Sequence, residues 1–291
     1  MKMSESCAAC LLGKNISRYP REASPKEIED YQTALRAVIE ENKHLSAPEV
    51  VEAIGLLRCS MFGSEPDYGR IKEHYNQLML AAEPTLLQNV GDAEDSFLRA
   101  VQYAMAGNYI DFGALDEVGE EKLRKFLSAA DEMAVDTTVL EMLKEDLKIA
   151  KRLVYLTDNC GEIVADKVFL HTVMKKRPDL HVTVILRGAP VLNDATLADA
   201  EQVGLSTVAT EVIDNGTAIA GTVLSRLSER ARTAIECADL LIAKGQGNYE
   251  SLCGCGLNMY YIFLCKCDLF VKRFGLPQFT GVLTKEKRSE E

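Results

Sequence analysis

From about residue 150 onward, short apolar runs alternate with amphipathic segments, and this alternation restricts the fold more than any other property of the chain. Candidate strands are Leu153–Leu156, Val182–Leu186, Thr207–Ile213, Leu240–Ala243 and Tyr260–Leu264. Helical patterns lie between them near Ile163–Lys176, Thr196–Gln202, Gly221–Cys237 and Tyr249–Leu252. Strands that alternate with helices are joined by right-handed crossovers, which gives a parallel sheet covered on both faces. Residues 1–148 read differently. Ser24 before PKEIED and Ser46 before Ala47–Pro48–Glu49 are helix starts, each with a hydroxyl cap, a proline in the first turn and acids beside it. Ile71–Ala82, Asp92–Met105, Glu120–Leu127 and Thr137–Ile149 carry apolar residues at helical spacing. The expectation is an α/β chain of two parts: an all-helical portion, 1–148, packed on a three-layer, mainly parallel α/β portion, 149–291.

Composition narrows the function classes. The chain has 291 residues, 47% hydrophobic and 26% charged, with net charge −11. An acidic chain lacks the clustered Lys and Arg that nucleic acid or an anionic membrane surface requires, so neither is expected as a partner. A local cation still admits an anionic small molecule. No apolar run reaches the roughly 18–20 residues of a membrane span. The opening MKMSESCAAC does not read as a signal peptide. Nine cysteines, an odd number, several of them in apolar segments, read as reduced thiols of a cytoplasmic protein.

In an open parallel sheet, ligands bind beyond the carboxyl ends of the strands. After the first strand come Thr157–Asp158–Asn159–Cys160–Gly161–Glu162, and after the second Arg187–Gly188, Pro190 and Asn193–Asp194. Asp214–Asn215–Gly216–Thr217 follow the third, and Lys244–Gly245–Gln246–Gly247–Asn248 the fourth. One polar turn is unremarkable; four at the same edge make a site. Asp158, Asn159 and Asp194 are hard oxygen donors that suit a divalent ion such as Mg²⁺ or Mn²⁺ better than zinc, and such an ion suits phosphate chemistry. Lys244 is placed to hold a phosphate oxygen, and Gly216–Thr217 to offer N–H groups and a hydroxyl at the next helix start.

The same loops resemble the damage-control phosphatase family, also called domain of unknown function 89, in its short single-unit branch. The resemblance rests on Cys7-x-x-Cys10, Gly107–Asn108–Tyr109–Ile110–Asp111–Phe112–Gly113, Asp158–Asn159–Cys160–Gly161–Glu162 and Asn193–Asp194–Ala195–Thr196. Ala238–Asp239–Leu240 through Lys244–Gly245–Gln246–Gly247–Asn248–Tyr249–Glu250 and the pair Lys266–Cys267 complete it. It covers nearly the whole chain in order. Ala220 stands where a proline is expected, and Cys253-x-Cys255 lies outside the pattern. The family implies a Rossmann-like sheet under a helical N-terminal portion. It also implies a phosphatase that uses a divalent ion (Mn, Mg, Co or Ni) on a small phosphorylated metabolite, such as a sugar phosphate or damaged cofactor intermediate. Asp158, Asn159 and Asp194 fall on its metal positions and Lys244 on its phosphate-side lysine. Asn108 and Asp111 fall on an element placed beside the metal. Catalytic roles are therefore expected of Asp158, Lys244, Asp111 and Asn108, and substrate contacts of Gly216, Thr217, Lys244 and Glu162. No oligomeric state is assigned.

Plainer readings compete at each position. Asp158–Asn159–Gly161 and Asp214–Asn215–Gly216 also read as turns, Asn193–Asp194 as a helix cap and Lys244 as a strand-end lysine. Asn108–Asp111 reads as a polar turn and Glu162 as a first-turn acid that favours the helix dipole. Cys7/Cys10 with Cys253/Cys255 is a weak zinc pattern, because only one pair has the two-residue spacing. Cys265 and Cys267 read as core thiols. Gly245-x-Gly247 lacks the third glycine of a dinucleotide fingerprint. Two rivals to the phosphatase remain at this stage. One is an S-adenosylmethionine-dependent carboxyl methyltransferase, which needs a glycine-rich loop where Asp158–Asn159 stands; the other is a non-catalytic metal- or metabolite-binding protein. A nucleophilic Asp158 also stays open beside activated water.

Overall fold

The computed structural model of the chain describes residues 1–63, 67–111 and 119–286; Phe112 and Gly113 of the sequence motif lie outside them. Six strands form one sheet: β1 (Arg152–Leu156), β2 (His181–Leu186), β3 (Glu211–Asp214), β4 (Leu240–Lys244), β5 (Met259–Leu264) and β6 (Gly281–Lys285). Their order is β3-β2-β1-β4-β5-β6; the first five are parallel and β6 runs antiparallel to β5. β6 was not expected from the sequence. The expected strand Thr207–Ile213 is shorter: a 3-10 turn takes Leu205–Thr207, and pairing with β2 begins at Glu211.

Twelve α-helices are described. The N-terminal ones are α1 (Glu5–Asn15), α2 (Pro25–Glu41), α3 (Ala47–Phe62), α4 (Gly69–Asp92), α5 (Ser96–Gly107), α6 (Glu120–Ser128) and α7 (Thr137–Ile149). Between and after the strands come α8 (Glu162–Lys176), α9 (Leu197–Val203), α10 (Glu229–Glu236), α11 (Gly245–Leu252) and α12 (Asp268–Phe274). The caps that start α2 and α3 form as the sequence suggests. Ser24 N donates to Glu27 Oε2 at 2.8 Å and Ser46 N to Glu49 Oε2 at 2.9 Å, which satisfies amides a helix start leaves orphaned. Where a helix was expected over Gly221–Cys237, α10 starts only at Glu229, capped by Ser228, whose hydroxyl accepts from Ala231 N at 3.3 Å.

Strand residues alternate between two cores, as a period of two demands. Leu153, Tyr155, Val182, Val184, Leu240, Ile242, Tyr260 and Ile262 face a core shared with α4, α5, α7 and α8. Val154, Leu156, Ile185, Leu241, Ala243, Tyr261 and Phe263 face one shared with α10, α11 and α12. Coverage on both sides explains why β4 and β5 are buried along their whole length. A third cluster, of Tyr31, Leu35, Ile39, Val50 and Ile54, belongs to α1–α3. Among the described residues no helix is long and apolar enough to cross a membrane.

Candidate active site

The chain leaves β1 toward β2 on one side and returns through β4 on the other, so a crevice opens between the carboxyl ends of β1 and β4. The loop after β1 carries Asp158 and Asn159 into it. Gly161, at φ +67°, turns that loop into α8, and a Cβ there would meet Ile110 Cδ1 at 2.9 Å and Tyr75 O at 3.0 Å. The loop after β2 zips onto it. Asn159 and Asp194 form an isolated antiparallel bridge, Ala195 N donates to Asp158 O at 2.8 Å, and Cys160 N donates to Asn193 O at 2.9 Å. Main-chain hydrogen bonds thus bring Asp158, Asn159 and Asp194 together from positions up to 36 residues apart.

Their side chains share one buried network. Asp158 Oδ2 accepts from Asn108 Nδ2 at 3.1 Å and from Asn159 Nδ2 at 2.8 Å. Glu162 Oε2 accepts from the same two amides at 2.8 and 2.9 Å. Arg187, whose side chain is 1% exposed, donates Nε to Asp194 Oδ2 at 2.7 Å and a terminal nitrogen to Asp158 Oδ1 at 3.5 Å. Its other terminal nitrogen reaches Asn248 Oδ1 at 3.2 Å. Lys266 Nζ holds Asp111 Oδ2 at 2.6 Å. After β4, Gly245 sits at φ +79°, and a Cβ there would lie 1.9 Å from Asp158 Oδ2. Only a glycine lets the start of α11 come this close to the carboxylate.

Charge is unbalanced here. Asp111, Asp158, Glu162, Asp166 and Asp194 gather around Arg187, Lys244 and Lys266, an excess of two negative charges. Burial, then repulsion from Glu162, Asp194 and Asp111, pushes the Asp158 carboxyl well above its ordinary range. Asp194 is pushed up to about 6, chiefly by burial and against the pull of Arg187. A formal excess of two negative charges around five carboxylates is of the size that a hard divalent cation offsets. Among the described residues no group of three or more His, Cys, Asp or Glu forms a ligand set. The candidate trio contains only two residues of those types, its third member being Asn159. The weak zinc pattern of Cys7/Cys10 with Cys253/Cys255 forms no ligand group among the described residues either, and all nine cysteines are free.

The geometry corrects three expectations. Lys244 does not face an open phosphate position. It is fully buried, and its ammonium donates to Ala104 O at 2.8 Å, Glu162 Oε1 at 2.7 Å and Asp166 Oδ1 at 2.6 Å. Glu162 was expected at substrate, but it is 0% exposed and bonded to Lys244 and the two asparagines. Gly216 and Thr217 start no helix, and their N–H groups are already used by Asp214 Oδ1 at 2.9 Å and Asn215 Oδ1 at 2.9 Å. Thr217 O instead accepts from Gly188 N at 2.8 Å, which braces the loop that carries Asp194. Cys160 is buried and its thiol is pushed far above the ordinary range by burial, so it is no nucleophile at neutral pH.

Sequence reasoning placed Arg187 in the loop after the second strand and gave it no role, and it took Lys266 only as part of the Lys266–Cys267 pair, on a strand continuing from Tyr260; that strand ends at Leu264, so Lys266 lies just beyond β5. Asp166, one turn into α8, it missed. A cavity of about 940 Å³ lies across the Asp194 loop, between α3, the start of α4 and α9. Leu192 and Thr196 line it, but Asp158, Asn159 and Asp194 do not. Chemistry rather than size therefore locates the candidate site.

Fold and cluster define a class: an open, mainly parallel α/β protein with an oxygen-rich, charge-imbalanced cluster at its switch point. Residues 3–281 match the family model described as "Damage-control phosphatase ARMT1-like domain", and the chain belongs to that damage-control phosphatase family. A protein of Archaeoglobus fulgidus named damage-control phosphatase is 29% identical over 287 residues, covering 95% of this chain and 96% of its own. A Pyrococcus horikoshii protein of the same name is 32% identical over 194 residues, 66% of each chain. The crystal structure of a Pyrococcus horikoshii protein of the domain-of-unknown-function-89 family superposes with TM-score 0.79 at 24% identity, over 99% of this chain and 100% of that one, and bears out the fold. Family and relatives together support phosphatase activity on damaged metabolites.

Proposed function

We propose that the chain is a metal-dependent phosphatase of small phosphorylated metabolites, sugar phosphates or damaged cofactor intermediates, with Asp158, Asn159 and Asp194 as the ligands of one divalent ion (Mn, Mg, Co or Ni). The carrying observation is the pair of adjacent loops, locked by the Asn159–Asp194 bridge, that hold two carboxylates and an amide amid two unbalanced negative charges. Such an ion, when bound, neutralises phosphoryl oxygens and lowers the pKa of a water.

The protein's own groups divide the remaining work. Asn159 spends its amide hydrogens on Asp158 and Glu162, which leaves its carbonyl Oδ1 as the end that would coordinate the ion. Arg187 keeps Asp158 and Asp194 at a common spacing by bonding both. Lys244 is consumed behind the ligands, and Lys266, itself buried and bonded to Asp111 at 2.6 Å, acts through Asp111 by holding that carboxylate in place. Asp111, at 14% side-chain exposure the most open carboxylate of the cluster, is the group to exchange a proton with the leaving oxygen. Asp158 accepts hydrogen bonds on both oxygens, which favours a ligand over a nucleophile that must swing onto phosphorus. The Asp–Asn loop after β1, with no glycine-rich turn, argues against a methyltransferase.

The test is turnover of a phosphorylated-metabolite panel with each of Mn²⁺, Mg²⁺, Co²⁺ and Ni²⁺. Hydrolysis that needs a metal and disappears in Asp194→Asn supports the reading. No hydrolysis with any ion overturns it.

A further inference from the structure

Behind the candidate ligands lies a buried ionic chain that touches no open space. Tyr155 OH donates to Asp166 Oδ1 at 2.8 Å. Lys244 Nζ bonds that same oxygen at 2.6 Å, then Glu162 Oε1 at 2.7 Å. Glu162 in turn accepts from Asn108 Nδ2 and Asn159 Nδ2. Lys244, Glu162 and Asp166 are each 0% exposed. Ion pairs this deep are costly to desolvate and often no more stabilising than packed apolar groups, so their retention calls for a reason.

The reason follows from the amides. A side-chain amide has a donor end and an acceptor end, and it reverses when the partners reverse. Asn108 is fixed at its oxygen, because Oδ1 accepts from the Leu264 backbone N–H at 2.9 Å, a donor that cannot change character. Among the described residues Asn159 has no such backbone anchor. Its Nδ2 end is set by two carboxylates alone, Asp158 and Glu162. Glu162 must therefore keep its oxygens facing that amide, and Lys244 Nζ, bonded to its Oε1 at 2.7 Å, holds the carboxylate in place.

We propose that Glu162 and Lys244 are positioning residues: Lys244 anchors the Glu162 carboxylate, Glu162 pins the amide of Asn159, and Asn159 thereby turns its Oδ1 to the metal position before any metal arrives. This rests on the reading of Asn159 as a metal ligand. Asp166 secures Lys244 from behind and does not touch either amide.

Glu162→Gln tests it. The substitution is nearly isosteric and leaves Lys244 paired with Asp166, so it creates no buried unpaired cation. It offers Asn159 and Asn108 an amide that can present N–H where an acceptor stood. Expected is Co²⁺ affinity weakened about 10- to 100-fold, the size typical of losing a partner that orients a ligand. A changed visible absorption spectrum of bound Co²⁺ is also expected, at a melting temperature close to wild type. Asp166→Asn should leave affinity and spectrum as they are. A folded Glu162→Gln protein with wild-type affinity and spectrum overturns the proposal.

A second measurement needs no variant. In the metal-free wild-type protein, the side-chain N–H signals of Asn108 and Asn159 should already exchange slowly with solvent before Mg²⁺ is added. Free exchange that stops only on adding Mg²⁺ overturns the pre-set orientation. Wild-type protein that binds neither Co²⁺ nor Mg²⁺, with both amides protected, overturns the metal reading of Asn159 instead and leaves the buried relay standing.

Discussion

Gly245→Ala puts the sharpest demand on this geometry. Gly245 has φ +79°, a region that costs an L-residue about 1–2 kcal/mol. The new Cβ would stand 1.9 Å from Asp158 Oδ2 and 2.2 Å from Asp158 Cγ, so the carboxylate must retreat by roughly 1.5 Å to reach ordinary contact. That takes at least one of its hydrogen bonds, from Asn108 at 3.1 Å or Asn159 at 2.8 Å, past the useful limit. A hydrogen bond to a charged group is worth about 1.5–3 kcal/mol, so losing one of the two plus the backbone term gives roughly 2.5–5 kcal/mol. For a chain of this size each kcal/mol shifts the melting temperature by about 2–4 °C. The expected result is a fall of about 5 °C or more in thermal melting, with Mn²⁺ affinity by calorimetry down at least about 10-fold. Gly275→Ala is the control. It shares a positive φ of +66° but has no atom within 4 Å of the added Cβ, so it should cost only the backbone term and leave Mn²⁺ binding alone. A Gly245→Ala protein that melts and binds like Gly275→Ala refutes the close approach.

Other outcomes follow from the same site. Asp158→Ala should lose bound metal in elemental analysis, while Cys160→Ala should keep most of its phosphatase turnover because its buried thiol takes no part. Arg187→Met should lower the melting temperature of the metal-free protein and be partly rescued by saturating Mn²⁺, since it leaves Asp158 and Asp194 repelling with no bridge; no rescue would contradict the bridging role. The Asp166 carboxyl is pushed up to about 6 by burial, against the pull of Lys244, whereas an unfolded Asp titrates near about 3.9. Between those values the folded chain holds a proton that the unfolded chain has lost, so this group's contribution to stability rises as pH falls from 7 through 6 toward 4. In urea unfolding the wild type should therefore gain on Asp166→Asn between pH 7 and pH 5, and a gap that moves the other way would refute the burial argument.

The strand alternation made most of the sheet legible, since a strand covered on both faces must be apolar throughout. β6 escaped because Gly281–Lys285 is short and half-covered at its end, and antiparallel to its neighbour. The meeting of the polar loops after β1 and β2 was legible because acids and amides after a buried strand have few other uses. The direction of Lys244 was legible too, had the period been followed to the last residue. Leu240, Ile242 and Lys244 alternate onto one face, and that face is covered by α5 and α8, so the lysine had to meet Asp166 and Glu162 rather than the open edge. Gly216–Thr217 misled for a different reason. A glycine followed by a hydroxyl residue reads as a helix start, but Asp214 and Asn215 turn back onto their own backbone and consume those amides first. Arg187 was hidden because nothing in a linear pattern says which two carboxylates one guanidinium will span.

The hydrophobic cluster of α1–α3 is a core of its own, and its contacts with the sheet portion include Pro48 against Gly247 and Gly221, the Arg226–Glu52 ion pair at 3.1 Å and the Met1 amino group on Glu250 O. A unit with its own core can come undone without the rest. Amide hydrogen exchange should then show α1–α3 opening cooperatively at a lower free energy than β1, β4 and β5. The ligand loops, bonded to the central strands, would keep their arrangement through openings that free the first sixty residues.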